Sequence, residues 1–318
     1  MEKLLTPATL GLLAAVALLA YLVTRRGFFA TTATFAASEN NDSEWPLVWV
    51  RPGSWPCLAS PNRRVRVYWE PPVAETVAQA VLTAATRVDE ILDEVFPRLR
   101  RPRLRLTLLA DCHHPRQRVA MTGFGLHAMV DTADQEAWLA SHRAREFLFS
   151  AVPHEWVEAA VALRLYWRDR KTRWVGEGAA DYAAYRVGLA LAPEVARARL
   201  AILAERLGPV TGTECFDLTD FRVATQAQPG KPTEAQRRAR RGYAVSFALF
   251  YWLAERRGPA EVARLLAQAM GGSWPTGARA RRAFERALGS DGPALTAVPL
   301  AWVAERLQEA TRALPAHP

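Results

Sequence analysis

The chain has 318 residues, half of them hydrophobic and 23 % charged, with 41 Lys and Arg against 32 Asp and Glu, a formal charge of +9. This balance excludes a disordered chain, which is poorer in apolar groups, and a polytopic membrane protein, because charges recur along most of its length. Three cysteines with no Cys-x-x-Cys pair exclude a disulfide-stapled miniprotein and a zinc ribbon.

Leu4 to Val23 is an uncharged run of twenty residues that, as a helix, spans roughly 30 Å, one hydrocarbon core. Lys3 precedes it and Arg25-Arg26 follow. The small residues from Ala30 to Ala37 come only after that pair, so an uncleaved anchor is expected over a cleaved signal. Residues 1–26 thus read as a membrane anchor or signal, and the chain as single-pass. The flanking charges are nearly balanced and leave the side of the membrane open. With Asn41-Asp42-Ser43, a glycosylation tripeptide that is common by chance, the expectation leans to an extracytoplasmic soluble domain.

Residues 27–63 are rich in Thr, Ser, Asn and Pro and read as a tether plus irregular structure. Arg64 to Trp69 alternates and predicts a strand. Ala74 to Phe96 carries Val77, Val81, Leu82, Ala85, Val88, Ile91, Leu92 and Val95 at helical spacing. Arg103 to Leu109 alternates again, and Gly125 to Val130 is a short strand candidate. From Glu136 the pattern is helical, with interruptions at Gly208 to Phe221 and Gln226 to Pro232. The basic runs Arg98 to Arg103 and Arg237 to Arg241 are short and lack interleaved aromatics, so a solvated face is expected over a nucleic-acid patch. Cys57, Cys112 and Cys215 could supply one disulfide in an exported domain, but nothing in the sequence pairs them.

Of the six histidines, His154 alone stands in a pattern with mechanical meaning. In Pro153-His-Glu-Trp-Val-Glu158, His154 and Glu158 lie one helical turn apart on a shared face, with Glu155 beside them. Trp174-Val-Gly-Glu-Gly-Ala-Ala-Asp-Tyr182 opens a second helix on which Glu177 and Asp181 are again one turn apart.

These segments resemble the gluzincin branch of the zinc peptidases, the peptidase MA-like proteins. The family's first helix reads His-Glu-x-x-His, two ligands flanking a general base. A glutamate ligand follows on the next helix after eighteen intervening residues, the spacing from Glu158 to Glu177. The Trp-x-x-Glu-Gly-x-Ala-x-Tyr context also looks like that branch. The likeness spans roughly residues 64–310, and the domain is taken as 64–312. It implies an α+β, zincin-like fold: a small mixed sheet lobe, active-site helices and a helical carboxy-terminal lobe, behind one amino-terminal transmembrane helix. It further implies Glu155 as base, His154, Glu158 and Glu177 as ligands of Zn²⁺, and Asp181 as the carboxylate that orients His154. Tyr243 would be the oxyanion donor, and Leu126, His127, Ala128, Met129 and Val130 the edge strand along which a peptide or protein substrate lies.

Glutamate at position 158, where the family has histidine, is the departure. One imidazole and two carboxylates formally cancel a divalent zinc, making a weaker Lewis acid and shifting selectivity toward harder cations such as Mn²⁺. Three readings follow: an active metallopeptidase with an altered ligand set, a pseudo-peptidase that binds peptides and no metal, or a chance arrangement of helix residues. A nucleic-acid or anionic-lipid binder rests on charge alone.

Overall fold

The computed structural model describes residues 47–50, 55–97, 99–113, 118–121, 125–162, 164–165, 172–221, 233–271 and 277–315. The expected membrane segment, most of the tether and the interruption at 226–232 lie outside them. Among the described residues no helix is long and apolar enough to cross a membrane.

The fold is α+β, a small mixed sheet with a larger helical part. Strands β1 (Leu47–Val50), β2 (Cys57–Ala59) and β3 (Val65–Trp69) come first. In β3, Val65, Val67 and Trp69 are buried while Arg66 and Tyr68 are partly exposed, the alternation expected of a half-covered strand. Helix α1 (Glu75–Val95) buries the apolar face predicted for it and ends before Pro97, which cannot continue it. The chain then returns as β4 (Leu104–Ala110), parallel to β3, a β-helix-β crossover. After β5 (Arg118–Met121), β6 (Leu126–Val130) adds parallel to β4, giving the order β2-β3-β4-β6 with β2 antiparallel. Strands β1 and β5 form a separate parallel pair.

Two of these strands fall in the stretch 27–63 that was expected to be irregular. The four-stranded sheet therefore reaches back to Cys57. A three-residue strand offers too few positions for its alternation to register.

The helices follow: α2 (Gln135–Ala140), α3 (His142–Glu146), a wide π turn (Phe147–Ala151), α4 (Val152–Ala162), α5 (Arg173–Leu191) and α6 (Pro193–Leu207). The π turn has a local cause. Pro153 has no N–H to give to the carbonyl of Phe149, and its ring would crowd that group. The backbone widens instead, and Val152 N–H reaches Phe147 O five residues back. A two-residue ribbon joins β7 (Cys215–Phe216) to β8 (Val298–Pro299). Helices α7 (Glu234–Arg257), α8 (Pro259–Met270), α9 (Gly277–Leu288) and α10 (Leu300–Arg312) complete the fold. Cys57, Cys112 and Cys215 are free and exposed.

Helix α5 runs through the middle, packed by α4, α6 and α7, and from Trp174 to Tyr185 every residue is buried. Gly178 permits this: a Cβ there would lie 2.5 Å from Phe250 and 2.8 Å from the Ser246 carbonyl on α7.

Candidate metal centre

Because α4 and α5 pack side by side, the two i, i+4 pairs face each other. His154, Glu158 and Glu177 each turn one ligand-type atom into a space where these atoms all lie within 4.8 Å of one another. His154 is 8 % and Glu177 1 % exposed. Glu158 is half-buried, at the side of the cluster that reaches the surface.

The geometry around His154 assigns its tautomer. Nδ1 lies 3.0 Å from Asp181 Oδ1 and 3.0 Å from Arg199 NH2 of α6, while the same guanidinium closes tightly on Asp181. A guanidinium only donates, so Arg199 satisfies the aspartate, and Nδ1–H donates to that carboxylate as well. Nε2 is thereby turned to Glu177 Oε2, 3.5 Å away. That separation is long for a hydrogen bond. It suits two ligands of one ion, since metal bonds of about 2.0–2.2 Å in a tetrahedron put ligand atoms roughly 3.3–3.6 Å apart.

A second arginine enters from α5 itself. Arg173 NH2 lies 2.5 Å from Glu177 Oε1 and 3.6 Å from Glu158 Oε1. Glu177 thus turns one oxygen to His154 and the other to a guanidinium. A cavity of only about 10 Å³ adjoins Glu158, Arg173 and Gly176.

Burial and mutual repulsion set the protonation. Burial opposes the positive charge of His154, but the hydrogen bond and charge of Asp181, aided by Glu177, raise its pKa to about 10. Glu158 is pushed up to about 8 by burial, then by Glu177 and Glu155. Burial also raises Glu155, with His154 opposing and Glu177 adding. Asp181 goes the other way: burial is outweighed by Arg199 and by the His154 hydrogen bond, and it stays ionised. Glu155, Glu158, Glu177 and Asp181 stand against Arg173, Arg199 and a protonated His154, with Arg206 also within electrostatic reach of Asp181 and Glu177. A divalent ion in place of the imidazolium proton and of a proton held by a raised carboxyl leaves the net charge of the cluster unchanged. The His154–Glu177 separation fits two ligands of one ion, and Glu158 offers a third ligand atom within 4.8 Å of both.

Tyr243 lies on α7, mostly buried, with Arg206 Cζ 4.7 Å from its ring centre. Burial, and then the charge of Glu177, raise its pKa, so its hydroxyl stays protonated within electrostatic reach of the cluster. The Leu126–Val130 strand is one edge of the four-stranded sheet. Leu126, Ala128 and Val130 point into the core, His127 is buried and Met129 packs with Leu109 and Trp55. What β6 has to offer a peptide is its outer backbone edge rather than these side chains.

Two arginines complete the cluster, Arg173 and Arg199. Arg173 carried a readable signal, since it stands one turn before Glu177. Arg199 is brought in by tertiary packing, and no local spacing points to it. Scanned against protein-family models, the sequence matches none, and a search of curated proteins returns no match.

Proposed function

We propose that the chain is a membrane-anchored, metallopeptidase-like protein with a zincin-like fold, whose metal is held by His154, Glu158 and Glu177. The observation that carries this reading is the imidazole geometry. With Nδ1 committed to Asp181, Nε2 is the nitrogen that faces Glu177 Oε2, at 3.5 Å, and a metal would take the place of its proton. Zn²⁺, or Mn²⁺ given two carboxylate donors, would supply Lewis acidity toward water and a peptide carbonyl. Glu155, its pKa raised by burial, is suited to take a proton from water and return it to a leaving amine. Tyr243 keeps a proton to donate to a developing oxyanion. Asp181, held by Arg199, keeps the His154 ring in orientation. An extended peptide would pair with the outer edge of β6. The anchor places this work at a membrane, with the domain on the extracytoplasmic side.

A pseudo-peptidase that binds peptides without metal is the second reading, favoured by Arg173. Its guanidinium already supplies Glu177 and, more distantly, Glu158 with a cation.

Metal analysis of the purified full chain tests the first reading. About one equivalent of zinc or manganese is expected, lost in His154→Ala and in Glu177→Gln, with Glu155→Gln keeping metal but not peptide hydrolysis. No metal after incubation with either ion would sink it. Glu158→His should tighten zinc; a variant that still binds none would mean the facing of α4 and α5 is not a ligand site.

A further inference from the structure

Away from this cluster, α8 and α9 diverge to form a groove of about 440 Å³, joined at one end by the last turn of α7. The size falls in the small-molecule range of about 300–1,000 Å³. Leu265 and Ala283 form its apolar floor, and Arg257, Arg264 and Arg286 line it from three helices. Its one carboxylate, Glu261, is already engaged by Arg264 through two hydrogen bonds. Arg257 and Arg286 are exposed and make no hydrogen bond or close ion pair among the described residues. Each stands in the last turn of its helix, where the helix dipole favours a cation. The dipole explains each placement singly. It does not explain their convergence on one cavity.

We propose that this groove binds the phosphate of an anionic lipid headgroup. Guanidinium forks match phosphate oxygens, and Arg257 and Arg286 are not held in a close ion pair among the described residues, Arg257 acting on Glu261 only at longer range. The surroundings support the sign: α9 also exposes Arg279, Arg281 and Arg282, with Glu285 its one acidic residue. The choice of a lipid over a free phosphate rests on the reading of Leu4–Val23 as an anchor, which would keep the domain at a headgroup surface on whichever side it lies. An apolar floor beneath the arginines suits the glycerol and first methylenes of a lipid better than a bare inorganic ion.

The test uses the full chain in nanodiscs of phosphatidylcholine, titrated with water-soluble dihexanoyl phosphatidylglycerol. Binding at least tenfold tighter than for dihexanoyl phosphatidylcholine is expected. Arg257→Ala with Arg286→Ala should weaken it about thirtyfold, taking each basic residue at its usual worth near a membrane surface. Arg66→Ala with Arg105→Ala, neighbours across β3 and β4, removes the same charge elsewhere and should change affinity less than twofold. Equal losses in the two pairs would overturn the groove in favour of diffuse charge. Inorganic phosphate binding as tightly as the lipid, or a short oligonucleotide binding more tightly, would overturn the lipid assignment. Because every ligand is soluble, the result does not depend on metal at His154, and loss of that reading leaves this one standing.

Discussion

Among the described residues, two clusters in which buried arginines meet buried carboxylates differ in kind. On the sheet side, Arg101 NH2 lies 2.7 Å from Asp89 and 2.8 Å from Asp93, and Arg64 reaches the same two carboxylates at 3.2 and 2.8 Å. Two arginines face two aspartates, and the charges balance without help. Burial opposes ionisation of Asp93, yet hydrogen bonds from Arg64 and the charge of Arg101 hold its pKa down. Arg101 also lies 5.1 Å over the ring of Trp156, two residues from His154, so this balanced cluster braces α4. Around His154 four carboxylates gather with Arg173 and Arg199 in contact and Arg206 further out, and two of those carboxyls are pushed up. Structural ion pairs lower carboxyl pKa values, whereas burial, with repulsion from neighbouring carboxylates, raises Glu155 and Glu158. At the second place a bound cation would offset the carboxyls that burial and mutual repulsion raise.

The largest effects should come from breaking the fully buried partners. Asp181→Ala leaves Arg199 charged, buried and without its aspartate, a loss of about 3–5 kcal/mol in urea unfolding. Metal affinity should fall about 10- to 100-fold as His154 loses its orienting acceptor. Arg101→Met should cost less, about 2 kcal/mol, because Asp89 keeps Arg64, and it should leave metal binding intact. If Arg101→Met also abolishes metal, the two clusters are one unit and the distinction drawn between them fails.

The sequence carried both i, i+4 pairs, because a helix places such residues together whatever surrounds it. It also carried the glycine beside Glu177, although the reason for Gly178 lies on a helix sixty-odd residues later. Gly178→Ala tests that reason: overpacking against Phe250 and Ser246 should cost about 1–3 kcal/mol by thermal or urea unfolding. Unchanged stability would mean α5 and α7 sit less closely than described. Arg199, the β1–β5 pair and the β7–β8 ribbon were not legible. A guanidinium finds its partner through tertiary packing, and two- to four-residue strands are defined by pairing more than by pattern. The anchor and most of the tether lie outside the described residues, so those readings stand on the sequence alone.

Acid and base should separate the clusters in opposite directions. Glu158, raised from 4.5 to about 8, binds a proton in the folded chain that the unfolded chain has lost, so metal-free stability falls as pH rises across that interval. His154, raised from 6.5 to about 10, contributes fully below 6.5 and loses that contribution by about 10. In chelator, urea midpoints should therefore drop steadily between pH 5 and pH 9. Glu158→Gln should flatten the lower part of that slope, a gain on the order of 1–2 kcal/mol at pH 8. Metal displaces the same two protons, so its affinity should rise with pH, with proton release visible by calorimetry in buffers of different ionisation heat. The Asp93 contribution, from a depressed pKa, is lost only as pH falls through the acid range. A metal-free midpoint that rises from pH 5 to pH 9 would contradict the raised carboxyl.

The smallest effect discriminates most between catalysis and its loss. Arg64 and Arg173 are the outer arginines of the two clusters, with side chains 32 % and 20 % exposed. Replacing either by Met in chelator should cost about 1–2 kcal/mol, since Asp93 keeps Arg101 and an exposed side and Glu177 keeps the imidazolium of His154. Added zinc should then part the two variants. In Arg173→Met the metal takes over the charge of Glu158 and Glu177, and the lost stability returns with increasing zinc as mass action requires. In Arg64→Met it changes no more than in the parent chain, because Asp89 and Asp93 keep Arg101 and offer no imidazole. If zinc and manganese both fail to restore Arg173→Met, the guanidinium is the cluster's own resident cation, and the peptide-binding reading without hydrolysis takes precedence.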